Sequence, residues 1–269
     1  MNFLQSLLFA VTGLVLFSCA DVTEEKSGFT KQVEVFGVYI YATEKTGDDK
    51  ILHAANVLAQ YLDNDEDGIP DNPLIVENMI RKGSSITMGY TQEELRSADR
   101  NTLPPGPKQG LYDVETHPDP AEGVFDITLE EVLHPISRHG FAEAYPEAFG
   151  MQRGSIVSTA VDLARGGYFE EVPEKYPDGA WYTYYDETCK YSCMMNEYLY
   201  WTITSLLGAQ DIPGRLEQIG NEWPLNTPEK LRDGDPTIYA LLTDPHYKIP
   251  AVLPDGHYSA ATFTIQKYN

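Results

Sequence analysis

The apolar residues of this chain change their period part-way along it, and that change restricts the fold more than any other feature. Up to about residue 115, segments rich in β-branched and aromatic residues alternate with segments of helical spacing. Val33 to Thr43 reads as one long strand. Asp48 to Leu62 reads as a helix, with Ile51, Ala54, Ala55, Leu58 and Leu62 on one face, and Pro73 to Arg81 as a second. Ser84 to Tyr90 and Gln109 to Glu115 read as further strands, separated by a Pro-rich loop at Leu103 to Pro107. From Phe125 onward the spacing is mostly helical, with helices expected over 129–139, 155–165, 194–207, 215–223 and 227–242. An α+β fold follows, in which an N-terminal mixed sheet carries helices and the C-terminal part is mostly helical.

The ends of the chain and its charge limit where it works. Leu4 to Phe17 is an apolar run too short to span a bilayer, so residues 1–19 read as a signal peptide. Leu16-Phe17-Ser18-Cys19 resembles a bacterial lipobox, which implies Cys19 as the lipid-carrying first residue of the mature protein. Ordinary cleavage within Ser18-Cys19-Ala20 is the alternative. Either way the chain is exported, as a membrane-anchored envelope lipoprotein or as a secreted protein. Residues 20–30 read as a tether and 31–269 as a single domain. Forty-one acidic against 19 basic residues give a net charge of -22, which excludes nucleic acid as a partner and leaves the lipid anchor as the membrane contact. Without Cys19, Cys189 and Cys193 remain, and in an oxidising compartment they pair as a disulfide; a structural zinc would need more ligands.

Asp63-Asn64-Asp65-Glu66-Asp67-Gly68-Ile69-Pro70-Asp71 has the composition of a loop that wraps a hard cation. Asp63, Asp65, Asp67 and Asp71 occupy the first, third, fifth and ninth positions, Gly68 allows the sharp turn, and Ile69 would contribute its backbone carbonyl. The spacing is similar to EF-hand and thrombospondin type 3 calcium loops, which implies calcium over residues 63–74. The twelfth position is Leu74 where a bidentate acid is usual, so Glu77 or water must complete the shell. Such an ion would brace the fold between strand and helix.

A second cluster carries chemistry. In Thr128-Leu129-Glu130-Glu131-Val132-Leu133-His134, Glu130 and His134 share one helical face and Glu131 sits one step round. This is one residue short of His-Glu-x-x-His, in which two imidazoles hold an ion and the Glu takes a proton from water. With Met195-Asn196-Glu197 and the order of strands and helices, the chain resembles a zincin-like metallopeptidase domain of gluzincin type. The resemblance implies Glu131 as general base and Glu130, His134 and Glu197 as ligands of zinc or another divalent metal. It also implies that Gly110 to Glu115 is the edge strand on which a peptide or protein substrate lies. Two carboxylates and one imidazole make a harder site than usual, which shifts preference toward manganese, iron or calcium. Tyr198 or Tyr200 would be placed to stabilise an oxyanion.

Three features oppose catalysis. Thr128-x-x-Glu131 is also a capping box, Pro135 should bend or end the helix, and loss of a ligating His is what a non-catalytic relative would show. The rival reading is therefore a calcium-stabilised surface binding protein that uses the aromatic stretch Tyr168 to Tyr185, unless that stretch merely covers the helices. His139 could join the ion only if Pro135 bends the chain, with Glu143 as its helical neighbour. His53, His117, His246 and His257 read as ordinary polar residues.

Overall fold

The β-branched segments of the first half need partners for their backbone N–H and C=O groups, and they find them in one five-stranded sheet. In the computed structural model, which describes residues 28–268, β1 (Phe29–Val35) and β2 (Val38–Thr43) form an antiparallel hairpin with Val35 opposite Val38. The signal segment and Cys19 lie outside the described residues. The long strand expected over Val33 to Thr43 is thus two strands, folded at Phe36-Gly37. Both turn residues have positive φ, 50° and 84°. That is the two-residue geometry matching the twist of paired strands, and Phe-Gly lacks the Asn or Asp that usually signals it. A Cβ at position 37 would also stand 2.7 Å from Ile80 Cδ1.

After β2 the chain crosses through α1 (Asp48–Leu62) and α2 (Pro73–Lys82) to β3 (Ser85–Gly89), parallel to β2. It crosses again through α3 (Gln92–Ser97) to β4 (Lys108–Tyr112), parallel to β3. A short β5 (Gln266–Lys267) pairs antiparallel with β1, so the order is β4-β3-β2-β1-β5 and β4 is an edge. The strand expected as far as Glu115 ends at Tyr112 and gives way to a 3-10 turn, Asp113–Glu115.

Beyond the sheet come α4 (Thr128–Pro135), α5 (Ala142–Ala144), α6 (Pro146–Phe149), α7 (Ile156–Ala164), α8 (Tyr191–Leu206), α9 (Arg215–Ile219), α10 (Pro228–Gly234) and α11 (Pro236–Leu242). α4 packs against α1, β4 and α8, which brings its solvent-free face to the centre of the molecule. As an α-helix, α4 ends at Pro135. Its missing N–H is absorbed by a π-helical turn, Ile136–Phe141, that carries the chain on into α5. The helix expected over 227–242 breaks at Asp235-Pro236, where Asp235 Oδ1 accepts from Ile238 N and caps α11.

The aromatic stretch covers α8. Tyr182 is fully buried and donates its hydroxyl to the Met194 carbonyl at 2.8 Å. Trp181 Nε1 and the Tyr198 hydroxyl both donate to Asp235 Oδ2, at 2.9 and 2.5 Å, tying the stretch and α8 to the start of α11. Tyr168 and Tyr185 are the rings of this stretch left exposed. Phe169, Trp181 and Tyr184 are half-buried, so the stretch covers the helices and also keeps surface of its own. The Cys189–Cys193 disulfide is formed at the entrance to α8. No helix of the described residues is long and apolar enough to cross a membrane.

Candidate metal centre

Glu130 and His134 lie one turn apart on α4, and α8 brings Glu197 to the same point, so one ligand atom from each lies within 4.8 Å of the others. His134 Nε2 is 3.7 Å from Glu130 Oε1 and 3.5 Å from Glu197 Oε1. Two donors about 2.1 Å from one ion lie roughly 3.4 Å apart across a tetrahedral angle, so this spacing suits a shared cation.

Asn196 adds a feature that its place beside Glu197 did not reveal. Its amide Nδ2 stands 2.8 Å from His134 Nδ1, while its Oδ1 is buried with no partner. The amide has nearly the same shape in either orientation. Turned by half, it puts Oδ1 on an Nδ1–H, satisfies the orphaned oxygen and leaves the Nε2 lone pair aimed at the two carboxylates. Ligating histidines are ordinarily held in this way.

Glu131 is not part of a capping box. Its carboxylate accepts from Gln109 Nε2 on β4, and the Thr128 hydroxyl is buried without a partner. The helix start is served by Asp126, whose Oδ1 accepts from His117 N at 2.9 Å and Thr128 N at 3.2 Å. Burial between α4 and the sheet edge decides the matter: Glu131 points toward β4, where an amide meets it.

The cluster is short of positive charge. Burial pushes Glu131 up to about 7 against the pull of His134, with Glu130 and Glu115 adding to the rise. Burial likewise lifts Glu197 to about 7, opposed by His134 and reinforced by Glu130, Glu131 and Glu222. Glu222 is raised to about 7 by burial, although Trp201 Nε1 donates to it at 2.9 Å. Burial pulls His134 down, but Glu197, Glu130 and Glu131 together outweigh it and hold the imidazolium up to about 9. Tyr198 is turned away, bound to Asp235, whereas the Tyr200 hydroxyl accepts from Gln210 and Arg215 at 3.2 Å each and stays beside Glu130.

These shifts fix a pH dependence. Glu131 and Glu197 keep protons up to about 7, and His134 keeps its proton up to about 9. Unfolded carboxyls release theirs near pH ~4.3 and unfolded His near ~6.5. The folded chain binds more protons across this window, so the metal-free protein is expected to lose stability as pH rises from about 5 to about 9. A cation competes for the same sites, so its affinity should rise over the same range. Urea midpoints of chelator-treated protein at acid, neutral and alkaline pH check the first statement. A midpoint that rises with pH would contradict it.

No family model, curated protein or solved structure matches the chain. Glu130, His134 and Glu197 together offer two carboxylates and one imidazole, a donor set that could hold a metal ion.

The acidic loop forms a second group. Asp63, Asp65 and Asp71 each bring an oxygen within 4.8 Å of the others, and Gly68 makes the turn at φ 90°. Desolvation and the neighbouring Asp67 and Asp71 carboxylates raise the Asp65 carboxyl above its ordinary value. Asp67 lies outside this group and accepts from Ile69 N at 2.8 Å; the Ile69 side chain is exposed, as is Glu77 on α2, which is also outside it. The loop region also grips a distant segment. Asn64 Oδ1 accepts from Ala251 N and Val252 N, both at 2.8 Å, Gln60 Oε1 accepts from Gly256 N at 2.8 Å, Glu66 accepts from Ser259 N at 2.7 Å, and the Tyr258 hydroxyl donates to Asp63.

The remaining histidines separate. His139 is not in the metal group; it lines another cleft with Lys82, Arg138 and Glu143, and burial with Arg138 and Lys82 pushes it down to about 4. His53 is not an ordinary surface polar residue: it is buried, with Nε2 2.7 Å from Asp126 Oδ2. No local spacing could announce a pair 73 residues apart.

Proposed function

We propose that this chain is an exported, zincin-like, divalent-cation-dependent hydrolase acting on peptides or proteins, with calcium in the Asp63–Asp71 loop. The observation that carries the reading is the convergence of Glu130, His134 and Glu197 with a part-buried carboxylate, Glu131, beside them and an edge strand alongside. A divalent ion held there would polarise a scissile carbonyl and make water more acidic. Glu131, with its pKa near 7, is suited to take a proton from the attacking water and return it to the leaving amine at neutral pH. Gln109 fixes the direction of that carboxylate. β4 has a partner on one side and an unpaired edge on the other, the arrangement that accepts an extended peptide by strand addition.

The disulfide suits an oxidising compartment, and lipid anchoring through Cys19 belongs to the same proposal. Oxygen ligands and the Gly68 turn favour calcium in the acidic loop, where it would act as a brace. Metal analysis tests the catalytic part. Wild-type protein is expected to carry one equivalent of a divalent metal besides calcium and to cleave an unfolded protein substrate. His134→Ala should lose that equivalent and the cleavage together while keeping calcium. An unchanged metal content in the variant would end the proposal.

A further inference from the structure

The Tyr200 hydroxyl sits in a network whose donors and acceptors are fixed by Arg215, a side chain that can only donate. Arg215 Nε gives to Gln210 Oε1 at 2.7 Å, which turns the Gln210 amide Nε2 toward the Tyr200 hydroxyl at 3.2 Å and Thr204 Oγ1 at 3.0 Å. Arg215 Nη2 reaches the same Tyr200 oxygen at 3.2 Å, and its guanidinium is held over the Phe125 ring, 4.1 Å from the centroid. The Tyr200 oxygen therefore accepts twice. Its own proton is left for a third partner.

The packing of the ring shows which partner that is. Tyr200 is 1% exposed on α8 and meets His134 edge-on, with ring centroids 6.1 Å apart. Glu130 precedes His134 by one turn of α4 and is the carboxylate beside the hydroxyl. Burial, the Glu130 charge and a hydrogen bond to Glu130 raise Tyr200 well above its ordinary value, against the pull of Arg215 and Gln210. Side chains that ligate a metal are ordinarily held from behind by a hydrogen bond. An imidazole would use its second ring nitrogen for this; the carboxylate at position 130 has a phenol behind it.

We propose that Tyr200 is a positioning residue of the metal centre, whose hydroxyl, locked as a donor by Arg215 and Gln210, holds the Glu130 carboxylate in place to ligate the ion. The inference rests on the divalent-cation reading above and adds to it that glutamate at position 130 is a supported ligand, not the remnant of a lost one. It also takes Tyr200 out of the reaction itself, because a hydroxyl committed to Glu130 does not receive an oxyanion.

The test is titration of cobalt(II) into the chelator-treated full chain, followed by visible absorption. Wild type is expected to bind one cobalt ion with ligand-field bands that His134→Ala lacks. Tyr200→Phe keeps the ring against His134 and leaves Gln210 and Arg215 each another partner, so the fold is retained. Its cobalt affinity should fall about 10- to 100-fold, with shifted bands. A double-variant cycle separates positioning from a general structural role. Added to Glu130→Ala, which leaves two ligands and binds cobalt more weakly, Tyr200→Phe should change the affinity by less than about 2-fold, because the carboxylate it would hold is gone. Unchanged affinity and bands in Tyr200→Phe, or a full further loss in the Glu130→Ala background, would overturn the positioning role while leaving the metal centre standing. A wild-type chain that binds no cobalt would sink this inference and the hydrolase reading together.

Discussion

On the proposed hydrolase function, Glu131→Gln is expected to keep both cations and lose the hydrolysis. The amide has the shape of the carboxylate and can still pair with Gln109, so α4 and β4 stay in register and the ligands Glu130, His134 and Glu197 are untouched. What disappears is the proton acceptor. A positioned base contributes about 10²- to 10⁴-fold, so turnover of an unfolded protein substrate should fall by about three orders of magnitude with unchanged metal content. A second consequence has the opposite sign. Burial makes the Glu131 carboxylate costly and raises it to about 7, so a neutral amide removes that cost above this pH and the variant should melt no lower than the wild type at pH 8. Activity within a few-fold of wild type would show that Glu131 is not the base. Lost activity with lost metal would place it in the structure of the centre instead.

The centre was legible in the sequence to the extent that its geometry is local. Glu130 and His134 are set one turn apart by helical spacing alone, and Glu197 was reachable through its neighbour Asn196. Whatever depended on packing was not legible. The Thr128 capping box is a local rule that lost to tertiary burial, since Gln109 comes to Glu131 from β4 and Asp126 takes over the helix start. Pro135 is a strong local breaker, and α4 ends there, but the following residues take up a π-helical turn that leads into α5. The hairpin at Phe36-Gly37 was hidden because Phe at positive φ is tolerated only in a turn whose strands are already paired. The His53–Asp126 pair and the grip of Asn64 on Ala251 and Val252 join parts of the chain too far apart for any spacing rule to connect.

That long-range grip sets up the other large effect. On the proposed calcium assignment of the acidic loop, chelation is expected to lower the melting temperature of the wild type, and Asp63→Ala should melt low whether or not calcium is present. Calcium at about a hundred times its dissociation constant adds about 2.7 kcal/mol, which for a chain of this size corresponds to a shift of roughly 5–10 °C. Asp63 is fully buried and accepts from Gly68 N at 2.8 Å and from the Tyr258 hydroxyl, so its removal unpins the turn and the 251–259 segment together. Asp63→Asn separates the two roles. It keeps an acceptor for Tyr258 but loses the charge, so it should resemble the chelated wild type and fail to respond to added calcium. Hydrogen exchange at 251–259 should rise in both variants, because Asn64 and Glu66 hold that segment only while the loop is wrapped. A wild-type melting temperature indifferent to chelation would mean that the three converging carboxylates carry no calcium. The segment would then be held by its hydrogen bonds alone.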